Sequence, residues 1–292
     1  MTALIATLLF AALVLLTGLG AVGLGAMLLR PRRIGALETS AGSLPATADD
    51  RAGAVARGLV IGVLVACVAL SAAVLLRAAL VGHAPWSNLH EFSIAFAAAL
   101  LGTFLLLARS QPIAGLAPFA ALLAAGLVAF AMGLESRIDP LVPALQQPLM
   151  LTVHVGAAVI AYAVSGVAFI AAAAELGQRA SGDGIGLLPP ASVARRLGHR
   201  AVLIAFPILT VAIALGSVWA NLAWRSYWSN DPKELAAAST WLVFGAYLHV
   251  AARRDRWERL APWLIVLGFA GVLFTYIGAG LFIVGEHSYG TP

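Results

Sequence analysis

Three of the seven tryptophans in this 292-residue chain fall within ten residues, in the run Trp219-Ala-Asn-Leu-Ala-Trp224-Arg-Ser-Tyr227-Trp228-Ser-Asn-Asp231-Pro232-Lys-Glu234. Indole rings that close in sequence offer several flat apolar faces, and offset stacking rewards a large planar ligand. A belt of aromatics at headgroup depth is the plainer alternative. Two histidines are placed to join that platform: His154 near the start of one apolar run and His287 just past the end of the last one. A pair of imidazoles flanking aromatic rings has the chemistry of axial ligands to a metalloporphyrin iron. Hydrogen bonding between helices is the simpler role for a membrane histidine. His249 stands apart, roughly 18 Å along its helix from the end that carries the tryptophans, so it needs a separate ligand or a second position of the same one.

Other chemistries find no residues to carry them. The single Cys67 lies in an apolar run, which excludes an internal disulfide framework and a cysteine-based zinc site. No phosphate-cradling glycine loop or paired-carboxylate arrangement is present. Asp231, Pro232 and Glu234 stand at the N-cap, N1 and N3 positions of a helix start, so Asp231 has a structural role whether or not it serves a ligand. His83 and His90 flank Pro85-Trp86-Ser87-Asn88, and His199, among arginines, reads as a solvated loop residue.

The elements that must position these residues follow from composition. Hydrophobic residues make up 61% of the chain and charged ones 11%, with a mean hydropathy of +0.95. That leaves too little polar surface to coat a soluble domain and excludes disordered, collagen-like and nucleic-acid-binding classes. Apolar runs at about 3–29, 58–81, 92–108, 114–133, 149–173, 201–221, 237–252 and 260–284 are each of bilayer-spanning length. They predict an all-α integral membrane bundle of about eight helices. The first run lacks a basic leader and is too long for a signal core, so it reads as a retained helix.

With eight spans, Arg77, Arg137, Arg225 and Lys233 fall on one side and the other fourteen basic residues on the opposite side. The positive-inside rule makes the richer side cytoplasmic and puts both termini and the tryptophan segment outside. Membrane topology therefore accounts for the basic charge without a nucleic-acid partner. Residues 34–56 and 177–198 read as polar cytoplasmic linkers. The chain divides into 1–56, a first helix with its linker, and 57–292, a domain that carries an external loop over 216–236.

The segment ending in Asp231-Pro232-Lys233-Glu234, followed by Trp241 and Tyr247-Leu248-His249, resembles the signature region of the CcsA/ResC cytochrome c biogenesis proteins. Trp86-Ser87-Asn88-Leu89-His90-Glu91, Val142-Pro143-Ala144-Leu145-Gln146 leading to His154-Val155, and Glu286-His287-Ser288-Tyr289-Gly290 agree as well. The resemblance implies the membrane haem-handling subunit of the System II cytochrome c synthase. Such a subunit holds haem b on the external, periplasmic or thylakoid-lumenal face and presents it for thioether attachment. By position, His154 and His287 would be the outer iron ligands and His249 the embedded one. Trp219, Trp224, Trp228 and Asp231 would form the haem-holding WWD loop. The resemblance also implies a ResB-like membrane partner, an apocytochrome c with Cys-X-X-Cys-His, and a thiol reductant system. Three positions depart from the pattern: Arg225 stands where Gly is expected, Asn230 where Trp is expected, and His90 where Tyr is more usual. Arg225 is suited to pairing with a haem propionate. A haem-binding module without ligation activity, related to System I haem delivery or to regulation of haem synthesis, is a second reading. A permease with an aromatic belt is a third.

Overall fold

The computed structural model describes residues 1–28, 46–253, 256–279 and Gly285. Among them the chain is all-α, with eight helices long and apolar enough to cross a bilayer. They are α1 (Thr2–Leu28), α2 (Ala46–Val81), α3 (Leu89–Ala108), α4 (Ala117–Met132), α5 (Pro148–Ser181), α6 (Ala191–Trp224), α7 (Pro232–Ala252) and α8 (Ala261–Leu273). A π-helical turn over Phe274–Gly278 prolongs α8. Over the described residues each predicted apolar run lies on one of these helices or its adjoining turn; residues 280–284 of the last run lie outside them. Backbone N–H and C=O groups find no water in hydrocarbon, so such runs must close their own hydrogen bonds.

Both segments read as linkers are shorter than expected. α2 starts at Ala46, and α5 and α6 leave only residues 182–190 between them. Hydropathy stops marking a helix where charges begin, whereas Ala, Arg, Glu and Gln continue one readily once it protrudes into water. His199 is accordingly not a solvated loop residue. It lies in α6, half-buried, with Nδ1 3.2 Å from the Tyr247 hydroxyl. Arg30, Arg32 and Arg33, which contribute to the charge asymmetry, lie outside the described residues.

α5 is the hub of the bundle, packing on α3, α6 and α8, while α1 to α4 form a group on one side of it. Small residues make this possible: Ala161, Ala163, Ala168 and Ala171 of α5, with Ala120, Ala121 and Ala124 of α4, are fully buried. Without a hydrophobic gradient between helices in lipid, close backbone approach supplies the packing energy. α7 lies at the opposite extreme, 22% buried over its most apolar stretch against 67% for α5. Prolines in the first turn start α4, α5, α7 and α8, where the missing N–H costs nothing.

The ends of α2, α4 and α6 and the starts of α3, α5 and α7 meet at one end of the bundle, here called the tryptophan end. A buried ion pair knits it together. Arg77 of α2 donates through Nε to Glu91 of α3 at 2.9 Å and through its other nitrogens to the carbonyls of Ser136 and Arg137. Glu91 Oε2 accepts from the Ser87 amide and hydroxyl. A lone buried charge is costly, and this pair persists because each partner makes several further hydrogen bonds.

Candidate functional site

His154 lies six residues into α5, and its Nδ1 is 2.8 Å from the carbonyl oxygen of Ala212 in α6. A carbonyl only accepts, so Nδ1 carries the proton and the lone pair of the neutral ring resides on Nε2. The ring stands edge-on to Trp219 at 5.4 Å between centroids. A Cβ on Gly216 would come within 2.8 Å of His154 Cε1. The imidazole thus occupies a slot between two antiparallel helices that only glycine leaves open.

Two indoles fix the surroundings of that slot. Trp219 is 9% exposed and donates through Nε1 to the Ala144 carbonyl at 3.0 Å. Trp86 donates to the carbonyl of Leu151, one turn before His154, at 2.9 Å. Around them Leu145, Leu151 and Trp219 form a small apolar cluster separate from the main core, flanked by Leu141, Val142, Met150 and Val155. The motif around Val142-Pro143-Ala144-Leu145-Gln146 is therefore the wall against which Trp219 is seated.

The three tryptophans do not share one face. Residues 216–224, expected as loop, continue α6, and five residues of helix turn Trp224 about 140° from Trp219. Trp219 faces α5 and Trp224 is half-buried at the helix end. Trp228 is 42% exposed and donates to Asn230 Oδ1 at 2.9 Å. The irregular stretch is only residues 225–231. Arg225 ends α6 at φ 60 and is exposed; Asn230 also sits at φ 60. Asn tolerates the left-handed region better than Trp, which explains why Asn is accommodated at 230 in this chain.

Asp231 is 5% exposed and caps α7, accepting from the Lys233 amide at 2.8 Å. Glu234 returns to the amides of Asp231 and Ser229, at 3.1 and 2.9 Å, completing a capping box. The Ser217 hydroxyl donates to the Tyr227 carbonyl at 2.8 Å and ties the loop back onto α6.

The other expected residues lie elsewhere. His249 is in the last turn of α7, exposed, at the end of the bundle opposite Trp219. It is not brought near His154. His287 lies outside the described residues. His90 is buried in α3 with Nδ1 2.8 Å from the Ala131 carbonyl, a packing role that a tyrosine hydroxyl can also fill. Sequence reasoning missed Gly216, the Ala212 carbonyl and the Arg77–Glu91 pair. The first two had a legible signal, since 212, 216, 219 and 223 recur on one face of α6.

At the opposite end, residues in and beside the segment 177–198 form an ionic cluster. Glu175 is 2% exposed and 2.5 Å from Arg179, and Glu258 pairs with Arg195 and, at 3.8 Å, with Arg179. These contacts fasten the α7–α8 connection to α5 and α6.

Residues 86–287 match the family model described as Cytochrome C assembly protein. The cytochrome c biogenesis protein CcsA of Synechococcus sp. (strain CC9605) is 36% identical over 261 residues, covering 78% of this chain and 85% of the relative. CcsA of Chlamydomonas reinhardtii is 35% identical over 224 residues, 72% of this chain and 62% of the relative. Among solved structures, cytochrome c haem lyase CcmF shares the fold at a TM-score of 0.62 and 22% identity. That alignment covers 93% of this chain and 46% of CcmF, so the chain spans about half its length. A match over residues 86–287, which takes in Trp86, His154 and the three clustered tryptophans, together with relatives of this similarity over most of both chains, identifies the chain as a member of the Cytochrome C assembly protein family, among its CcsA proteins.

Proposed function

We propose that this membrane protein holds haem at the tryptophan end of the bundle, on the external face, and presents it to apocytochrome c for thioether attachment. The observation that carries the reading is the setting of His154: Nδ1 tied to a backbone carbonyl, the ring braced by Trp219, and the lone pair on Nε2. A second-sphere hydrogen bond of this kind orients an imidazole and raises its strength as an iron ligand. His287 is proposed as the opposite axial ligand. Trp224 and Trp228 are proposed to bound the porphyrin, with Arg225 meeting a propionate and Asp231 anchoring the loop to α7.

Bound haem b supplies an iron and two vinyl groups. Each thiol of a Cys-X-X-Cys-His segment adds its S–H across one vinyl C=C, forming a C–S bond while the proton ends on carbon. No electrons are gained or lost in that addition, so this chain needs no nucleophile. Its residues position the substrate and hold the ring nitrogens in the correct tautomer. A thiol reductant system keeps the cysteines reduced. His249, exposed on the least buried helix, is proposed to complete a membrane-embedded haem position with a ResB-like partner. In this scheme residues 1–56 precede the haem-handling domain of 57–292.

The test is the absorption spectrum of the detergent-purified chain with and without a ResB-like partner, and cytochrome c maturation in a host lacking its own system. Bis-histidine haem bands and maturation only with the partner are expected. Full maturation by this chain alone would reject the partnership, and a colourless protein in both preparations would reject the haem site.

A further inference from the structure

Gly216 lies in the interior of α6, two turns before its end, and shows an ordinary helical backbone. Glycine there is worse than alanine by about 1 kcal/mol and needs a reason. It is not a turn, a cap or a kink. The reason on the page is the ring opposite: an added Cβ would lie 2.8 Å from His154 Cε1 and 3.3 Å from Nδ1. Those contacts are with a ring held on both sides. Nδ1 is bonded to the Ala212 carbonyl and the ring edge rests on Trp219, so it cannot swing away while keeping either contact.

The geometry of the bond adds a second reason. In an α-helix the carbonyl of residue 212 points along the axis toward residue 216. The side chain at 216 normally screens that oxygen from a neighbouring helix. Removing it exposes a buried carbonyl to an imidazole arriving from α5. Ala212, Gly216 and Trp219 form one unit: acceptor, slot and brace.

We propose that Gly216 is a positioning residue for the haem ligand His154: by lacking a Cβ it admits the imidazole to the Ala212 carbonyl, and so sets which ring nitrogen faces the iron and at what angle. This rests on the assignment of His154 as an axial ligand. Larger residues at 216 would weaken ligation without touching the substrate.

The experiment compares Gly216→Ala, His154→Ala, the double variant and Gly126→Ala, all in the full-length chain. Gly126 is an exposed helical glycine whose added Cβ would meet nothing within 4 Å. Two readouts are taken: the spectrum of co-purified haem and the thermal midpoint of haem-free protein. Gly216→Ala should lose the six-coordinate low-spin bands and lower haem affinity roughly tenfold or more, whereas Gly126→Ala should do neither. Gly216→Ala should also lower the haem-free midpoint, and His154→Ala should relieve that loss because the colliding ring is gone. An unchanged spectrum in Gly216→Ala alongside an altered one in His154→Ala would overturn the proposal. So would a failure to fold that persists in the double variant. An unchanged spectrum in His154→Ala would instead remove the ligand assignment itself.

Discussion

Arg77 Nε donates to Glu91 Oε1 at 2.9 Å with the two side chains 4% and 1% exposed, and from this pair the fastening of the tryptophan end can be traced. Arg77 holds residues 136 and 137 and Glu91 holds Ser87. The neighbouring Trp86 holds Leu151 one turn from His154.

Breaking that pair should be severe. Glu91→Ala leaves a buried guanidinium without its partner and is expected to cost about 3–5 kcal/mol. Glu91→Gln, which can still accept from Arg77, should cost less. Thermal midpoints of the purified variants check the order: no loss in Glu91→Gln would deny the ion pair its charge component, and equal losses in both would leave the hydrogen bond without weight.

Trp86→Phe removes one donor while keeping an apolar ring. The expected cost is about 1–2 kcal/mol, since the Leu151 carbonyl loses a partner where water is scarce. The haem spectrum should shift, because Leu151 sets the start of the turn that carries His154. A stability loss with no spectral change would separate this brace from the site.

The two groups of histidines should behave differently. His154→Ala and His287→Ala should abolish maturation, with partial rescue by added imidazole, which can occupy a vacated axial position. His249→Ala should lower the amount of haem that co-purifies with the partner complex. Rescue of His249→Ala by imidazole together with none at His154 would invert the assignment of depth.

Orientation follows from charge. Reporter fusions after residues 140 and 226 should be external and those after 185 and 256 cytoplasmic. A cytoplasmic signal at 226 would place the tryptophan segment in the wrong compartment for apocytochrome c.

At the α7 cap, Asp231→Asn should retain the bond from the Lys233 amide, whereas Asp231→Ala should cost about 1–2 kcal/mol. Asn230→Gly should be close to neutral because glycine accepts φ 60 freely. Asn230→Trp, which restores the residue expected from the family, should destabilise this loop by about 1 kcal/mol. Denaturation midpoints of the four variants give the ranking.

The eight helices and the capping box were legible because hydropathy and end signals act locally. The buried contacts were not. Arg77 counts as one more loop charge in a topology tally, and only the fold shows it turned inward to Glu91. Trp219, Trp224 and Trp228 are close in sequence, yet continuation of α6 through Trp224 separates their directions, a fact set by where a helix stops. His199 looked solvated because its neighbours are arginines, but the face of α6 that it occupies meets Tyr247.

α5 runs for 34 residues with His154 near one end and the buried Glu175 near the other. The 21 helical steps from one to the other span roughly 31 Å, about the thickness of the hydrocarbon layer. That helix is a ruler: it fixes the gap between His154 and the ionic cluster at more than a porphyrin can bridge. A haem molecule moving from one end to the other must therefore leave the first set of protein contacts before it reaches the second. Delivery along this bundle would be a journey with a stop, made between two separate sets of contacts.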